Sequence, residues 1–422
     1  MSDGASMAHA TADKVDALYL HIPFCVRKCA YCDFVSFETG RDDPLMTAYA
    51  QSLRAQLAEL EEAGILEGCR TAYVGGGTPT MLPTAALETL VRELKMRAPA
   101  IDELSCEANP DSLDDETLSA LVRAGATRLS VGVQSLLDRE LRSLGRVHDA
   151  ATARLRVGAA VAAGIDVSID LMCATPAQTK ASWEATVRDA IKLGMGHVSV
   201  YPLQIEEGTP LAERVGDDEP AWNDPDVQAA RMEEAAHLLE AAGFVRYEVA
   251  SYARPGKACR HNEAYWTGRP YIGLGCGAAS MLSRAGYERL QRCCPQLPEL
   301  DEATTRVRLE TSSTRQQIAR EPALASLSFD LEFLDEAQAA AEDLMLGMRL
   351  TQGVGPECIE RARMSMGAER VDFAFAEIVS RGLAQWRERR LVPTHTGWLL
   401  GNELYGILWD LAPGEVRTLQ SA

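Results

Sequence analysis

His21-Ile-Pro-Phe-Cys25-Val-Arg-Lys-Cys29-Ala-Tyr31-Cys32-Asp33-Phe34 places three thiols within eight residues, spaced CxxxCxxC. Gaps this short let all three sulfurs converge on one face of a small inorganic cluster. Three is one ligand short of the four that close an iron–sulfur cluster or a structural zinc site. A cubane held by three thiolates keeps one iron free, and a free iron can hold a small molecule. A zinc site would want a fourth Cys or His at short spacing, usually from a second CxxC pair; none follows before Cys69. A disulfide reading suffers because Met1 to Ala17 is polar and small, with no apolar signal-peptide core. Eleven cysteines, an odd number, point to a reducing compartment and thiolate chemistry. The other eight read as buried small hydrophobes, Cys173 and Cys276 among them. The adjacent Cys293–Cys294 pair reads instead as a reactive or accessory thiol site.

Around this run the chain of 422 residues has room for one large domain and a smaller one. Nearly half its residues are apolar, so a sizeable core is available, and no apolar run approaches a membrane span. A net charge of −19 argues against a nucleic-acid surface, which needs a basic face. Apolar, β-rich runs at Leu18–Ile22, Thr71–Val74, Leu104–Glu107, Arg128–Val133, Asp166–Met172 and His197–Leu203 alternate with helical spacing. The helical segments are Leu45–Ala63, Thr84–Met96, Asp114–Ala124, Ala150–Ala163 and Lys180–Leu193. That alternation predicts an α/β fold with a parallel sheet of about six β/α units, an open, partial (β/α)6 barrel with ligands at the C-terminal strand ends.

The expected organisation is a disordered tail over 1–16, a barrel core over 17–290, a connector over 291–325 and a small C-terminal domain over 326–422. The connector includes the charged, poorly patterned stretch Glu299–Glu321. The C-terminal domain reads as helices at Asp335–Arg349, Glu357–Met364 and Val371–Arg381, a hairpin within Leu391–Leu400 and a last helix from Asn402. Helices followed by a hairpin give it a winged-helix-like character.

Polar and glycine motifs recur at the predicted strand ends. Val74-Gly75-Gly76-Gly77-Thr78-Pro79 follows the second strand; glycines let backbone approach a ligand and expose amide and carbonyl groups. Glu107 closes the third strand, Gln134 the fourth, and Asp170 sits in the fifth; Arg146 follows in Leu144-Gly-Arg-Val-His148. A zwitterionic amino acid attached to a ribose calls for this mixture of a cation and several acceptors.

Together these motifs resemble the radical S-adenosylmethionine (SAM) superfamily, and His21-Ile-Pro-Phe before the first cysteine resembles its coproporphyrinogen III oxidase-like family. The resemblance covers roughly Leu18 to Ala278. It implies a [4Fe–4S] cluster on Cys25, Cys29 and Cys32, and SAM contacts from Tyr19, Gly76, Gly77, Thr78, Glu107, Gln134, Arg146 and Asp170. Tyr31 would pack near the cluster. True oxygen-independent coproporphyrinogen oxidases continue the cysteine motif with a further cysteine two residues on, where this chain has Phe34. The heme-chaperone branch of the family is the closer resemblance, and its HNxxYW element, tied to heme binding, matches His261-Asn-Glu-Ala-Tyr265-Trp266. An imidazole suits heme iron, and Tyr265 and Trp266 suit a flat macrocycle.

The resemblance therefore implies a cytoplasmic chaperone that binds heme and passes it to an acceptor hemoprotein. Cluster and SAM would serve an accessory or regulatory role, supplied by an electron donor such as flavodoxin or ferredoxin. The alternative is a radical SAM enzyme acting on a porphyrinogen or another tetrapyrrole. Neither reading involves nucleic acid or a membrane span, and peripheral membrane association stays open. One departure is local: Asp170-Leu-Met-Cys-Ala174-Thr-Pro-Ala177-Gln-Thr has alanines where relatives have glycines. Alanine at positive φ costs on the order of 1 kcal/mol, so the loop is expected to have shifted. Similarly, Gly273–Ser280 ends in Ala-Ser where relatives tend to have Ala-His-Gly.

Overall fold

A computed structural model describes residues 14–216, 224–412 and 414–421. Most of the expected N-terminal tail, 1–13, lies outside the described residues. The strands are β1 (Ala17–Ile22), β2 (Phe24–Cys25), β3 (Phe37–Glu38), β4 (Thr71–Gly76), β5 (Glu103–Ala108) and β6 (Arg128–Gln134). They continue as β7 (Asp166–Cys173), β8 (His197–Pro202), β9 (Val245–Arg246), β10 (Ser251–Ala253), β11 (Tyr271–Leu274) and β12 (Ala279–Ser283). The last five are β13 (Arg306–Thr311), β14 (Phe329–Leu334), β15 (Ala384–Arg387), β16 (Arg390–Pro393) and β17 (Arg417–Gln420).

Strands β1, β4, β5, β6, β7 and β8 lie side by side and all parallel, as the alternation predicts. Helices Pro44–Glu62, Thr84–Arg97, Asp115–Ala124, Ala150–Ala162 and Lys180–Lys192 make the successive crossovers. Their starts are written in the sequence: Asp43, Asp114, Asp149 and Thr179 each cap a helix by accepting a first-turn N–H. Leu18, Leu20, Ala72, Val74, Leu104, Leu129, Val131, Ile169 and Val198 are fully buried and belong to the main core, on alternate strand positions. The other face carries the polar set, and in-register pairing brings it together: Tyr19 opposes Tyr73, Glu107 opposes Ser130, and Asp170 opposes Ser199.

The sheet is larger than expected. Among the described residues it has thirteen strands, because β11 pairs with β1 and leads into antiparallel β12, β13, β14 and β17, while β10 and β9 extend the other edge. The partial barrel is thus the parallel middle of an open sheet. Glu299–Glu321 is more than a connector, since it contains β13 and the helix Arg315–Arg320. The charges that masked β13 are paired: Arg306 with Glu342 at 2.7 Å and Arg308 with Glu332 at 2.6 Å.

In the C-terminal region, helices Glu336–Gly347, Pro356–Met366, Ala368–Ser380 and Gly401–Trp409 close on a separate core of Leu344, Ile359, Val371, Phe375, Leu404 and Leu408. Its hairpin pairs β15 with β16, earlier than expected, and His395–Leu399 is helical instead. Thr394 caps that helix through Gly397 N–H, which ends the strand pattern.

Candidate cofactor site

The three cysteines sit on one loop beyond β1. Cys25 ends β2, and its Sγ lies 3.5 Å from the Thr78 hydroxyl of the glycine loop. Cys29 Sγ accepts from Arg146 Nη1 at 3.3 Å, and Cys32 Sγ lies 4.0 Å from the Ser36 hydroxyl. All three are free thiols, each half-buried. Burial pushes the thiols of Cys25 and Cys32 up, and the charge of Cys29 pushes both the same way. Iron would reverse that balance by taking the thiolates as ligands. The loop is braced from behind: Ala30 donates to Leu144 O at 3.0 Å and accepts from Leu211 at 2.7 Å. Tyr31 packs beside Ala30, Leu144 and Met172, next to Arg146. Among the described residues, no three of His, Cys, Asp and Glu meet at a point that one metal ion could share. A cluster does not require that convergence, because each thiolate takes its own iron.

The glycine loop is fixed by contacts that a side chain would destroy. Gly76 has φ of +112°, and a Cβ there would stand 2.6 Å from the His21 ring. A Cβ on Gly77 would stand 2.9 Å from the Phe24 carbonyl oxygen. Glu107 reaches up from β5 to accept from the Gly76 N–H at 3.0 Å and from the Tyr73 hydroxyl at 2.9 Å. Asp170 accepts from the Ser130 hydroxyl at 3.4 Å. Burial first, and the Asp170 charge second, push the Glu107 carboxyl up to about 7. Burial likewise raises Asp170 to about 6, against the pull of the Ser199 and Ser130 hydroxyls. Both carboxylates face a cavity of about 310 Å³ that is lined with Tyr19, Ser130 and Ser199 as well.

Buried polar atoms without partners mark the same end. Among the described residues, Gln134 Oε1 and Arg146 Nε have none, although both side chains are buried. Gln134 holds φ at +63° at an irregularity in the β6–β7 register, strain that clusters at binding sites. Two acidic groups, an open acceptor, an arginine and a glycine cradle fit a ligand carrying ammonium, sulfonium, carboxylate and hydroxyl groups. They are the groups of SAM.

The structure therefore gathers Tyr19, Tyr31, Gly76, Gly77, Thr78, Glu107, Gln134, Arg146 and Asp170 around the cysteine loop and the cavity behind it. It adds residues that the motifs did not single out. Asn109 donates to the Thr78 hydroxyl at 2.7 Å and accepts from Arg146 Nη2 at 2.5 Å, joining the glycine loop to the arginine. Its signal was the Cys106-Glu-Ala-Asn-Pro run, two positions beyond Glu107 on the same strand end. His21 donates through Nε2 to Val35 O at 2.7 Å and accepts from the Tyr19 hydroxyl at 2.9 Å.

His261 and Tyr265 line the far end of the same cavity, and Trp266 follows them on one helix. Their helix, Arg260–Trp266, crosses the N-terminal ends of β4 and β5, at the floor of the cavity. The N–H groups of Arg260 and His261 cap against Glu103 at 3.1 and 2.9 Å. His261 is 1% exposed, and both ring nitrogens are engaged, with the Thr71 hydroxyl at 3.0 Å and the Tyr265 hydroxyl at 3.0 Å. Tyr265 stands edge-on to His261 and to Tyr271. The Trp266 ring receives the Arg349 guanidinium at 4.9 Å, and its Nε1 is buried without a partner among the described residues. None of the three is arranged as an open aromatic shelf.

The loop with substituted glycines carries its two alanines in left-handed backbone. Ala174 and Ala177 stand at φ of +56° and +65°, left-handed backbone that glycine favours. Gln178 holds them: its Oε1 accepts from Ala174 N–H at 2.8 Å and its Nε2 donates to Met172 O at 3.2 Å. In the other departure, the Ser280 hydroxyl accepts from Gly273 N–H at 2.9 Å.

The Radical SAM superfamily model matches residues 19–190. A heme chaperone HemW of Mycobacterium tuberculosis is 35% identical over 394 residues, covering 91% of this chain and 92% of that protein. HemW of Escherichia coli is 37% identical over 274 residues, 62% of this chain and 69% of that protein. Among solved structures, the coproporphyrinogen III oxidase HemN of Escherichia coli, a radical SAM enzyme, aligns with a TM-score of 0.74 at 20% identity. That alignment spans 95% of this chain and 91% of the other, and it establishes a shared fold.

Proposed function

The chain belongs to the HemW heme-chaperone family of the radical SAM superfamily, and on that premise we propose that it binds heme and transfers it to an acceptor hemoprotein. The superfamily implies a [4Fe–4S] cluster and SAM. We assign the cluster to Cys25, Cys29 and Cys32. SAM falls to the Gly76–Thr78 loop, Glu107, Gln134, Arg146 and Asp170, with Tyr19 lining the cavity and Tyr31 behind the cluster. When reduced, such a cluster supplies one electron for cleavage of a sulfonium C–S bond. The residues here would orient the ligand: Arg146 and Asn109 fix the approach to Thr78, and Glu107 holds the glycine loop. The carboxylates must be ionised to receive a cation, and a cation bound beside them favours that form.

The observation that carries the heme reading is identity of 35% with a heme chaperone over nine-tenths of both chains. Phe34, in place of a further cysteine, and the His261–Trp266 element support it. Heme contact at His261, Tyr265 and Trp266 requires the Arg260–Trp266 helix to leave the floor, since His261 is closed on both sides. The cell compartment proposed is the cytoplasm, and among the described residues no helix is long and apolar enough to cross a membrane. An electron donor such as flavodoxin or ferredoxin would reduce the cluster.

Heme titration of the purified, cluster-loaded protein tests the reading. A saturable Soret shift is expected, weakened in His261→Ala; a wild type that gives no shift removes the proposal. The polar cavity that runs from the proposed SAM residues Tyr19, Glu107 and Asp170 to His261 and Tyr265 favours a second reading, radical chemistry on a tetrapyrrole. Anaerobic incubation with SAM, a reductant and coproporphyrinogen separates them, because protoporphyrinogen formation supports the enzyme.

A further inference from the structure

The floor helix and the glycine loop stand at opposite ends of the strands, yet a continuous column of rings joins them. Tyr265 meets His261 edge-on at 4.9 Å, and His261 stacks on Tyr73 at 5.3 Å with the planes 29° apart. Tyr73 stacks on Tyr19 at 6.4 Å, and Tyr19 meets His21 at 5.8 Å. Each ring also makes a polar anchor. His261 is held by the Thr71 and Tyr265 hydroxyls, so its plane is set from two sides. Tyr73 spends its hydroxyl on Glu107, which in turn holds the Gly76 N–H. Tyr19 donates to His21, which donates to Val35 O in the cysteine loop and fills the space against Gly76.

We infer that His261 is a positioning residue for the SAM pocket: its ring backs Tyr73, and Tyr73 sets Glu107 against the glycine loop. This rests on the SAM placement proposed above and adds to it a coupling between the HNxxYW element and the nucleoside site. Removing the His261 ring frees the Tyr73 ring to tilt toward the space left behind. The hydroxyl then loses its line to Glu107, and the carboxylate loses one of its two donors. Coupling of this kind is reciprocal. Anything that draws His261 off the floor loosens the SAM pocket, and bound SAM holds the floor closed. The contact chain is short and made of stacked, hydrogen-bonded groups, so it provides a physical connection between the sites.

The test uses the full-length protein with its cluster reconstituted, titrated with SAM and without heme. His261→Ala is expected to weaken SAM binding about five- to tenfold at unchanged iron and sulfide content. Tyr73→Phe keeps the ring and removes only the hydroxyl, so it folds where the alanine variant is fragile; it is expected to lose a similar factor. If one chain of contacts is responsible, the double variant loses no more than the worse single variant. The pH profile distinguishes positioning from general loosening. Around the Glu107 carboxyl on β5 stand Tyr73 on β4, Asp170 on β7, Tyr201 on β8, and the Tyr19 and Tyr265 hydroxyls on β1 and the floor helix. Losing the Tyr73 donor raises the Glu107 carboxyl further, so the midpoint of SAM binding moves to higher pH in both variants. Wild-type affinity within twofold in both, additive losses, or an unmoved midpoint overturns the inference. A wild type that fails to bind SAM instead removes the SAM placement beneath it.

Discussion

The two ends of the parallel strands are built on opposite terms. At the C-terminal end, three thiols are free, Gln134 Oε1 and Arg146 Nε have no partner among the described residues, and two carboxyls are held well above their ordinary range. At the N-terminal end, every polar atom of the His261 ring is paired, and Glu103 is occupied by two backbone N–H groups. The open end gathers unpartnered atoms around two raised carboxyls and the cysteine loop; at the floor the His261 ring is satisfied, and Trp266 Nε1 is the atom left unpaired on its helix among the described residues. Buried polar groups without partners cost free energy, and at the open end a bound ligand would supply what folding does not.

The largest expected effect lies at the open end. Cys25→Ala, Cys29→Ala or Cys32→Ala should each reduce reconstituted iron and sulfide from about four of each per chain to background, measured by chemical analysis. His261→Ala should leave that content at the wild-type level. Equal loss in both would mean that the floor variant unfolds the barrel, and the contrast between the ends would collapse.

Next in size is Glu107→Gln. An ionic hydrogen bond contributes about 1.5–3 kcal/mol, so SAM affinity should fall by roughly 10- to 150-fold. The same change should stabilise the ligand-free protein at pH 8. The sign follows from the raised carboxyls: their stabilising contribution is present below their ordinary range and disappears as pH rises through about 6 for Asp170 and about 7 for Glu107. Thermal melts of the wild type should therefore weaken from pH 5 to pH 8, and those of the variant should weaken less. A melt profile identical in both proteins would show that Glu107 is not held protonated.

These expectations also show what the sequence could reveal. The open end was legible because its chemistry is local: CxxxCxxC, Gly-Gly-Gly-Thr-Pro and single polar residues closing predicted strands each announce themselves within a few positions. The parallel run followed from the same alternation. The floor was not legible, since an HNxxYW run looks the same whether its histidine faces solvent or lies locked against Thr71, 190 positions away. Likewise, β13 looked like a charged connector because its partners Glu342 and Glu332 stand on distant elements. Long-range pairing decided both cases.

At the closed end the effect is moderate and its pH dependence runs the other way. Burial lowers the His261 imidazole to about 3, so its stabilising contribution is complete above its ordinary value of 6.5. That contribution drains away as pH falls from there toward about 3. His261→Gln should cost about 1–3 kcal/mol near neutrality, for a buried hydrogen-bonded group imperfectly replaced. It should also flatten the acid side of the melt profile. A variant that still weakens as steeply as wild type below pH 6 would place the acid sensitivity on another histidine, such as His197, which burial also lowers.

The smallest effect tests whether the open end carries strain that no ligand relieves. Ala174 and Ala177 hold positive φ beside the barrel mouth, each with a Cβ that left-handed backbone disfavours. Glycine at either position removes that clash but adds freedom to the unfolded chain, so the net gain should be about 0.5–1 kcal/mol. Equilibrium unfolding of Ala174→Gly and Ala177→Gly measures it directly. Because Gln178 ties the Ala174 N–H and Met172 O together, a loss of stability in both variants would mean that the alanine side chains pack usefully. The strain would then be offset within the loop, leaving the raised carboxyls of Glu107 and Asp170 as what distinguishes the open end from the floor.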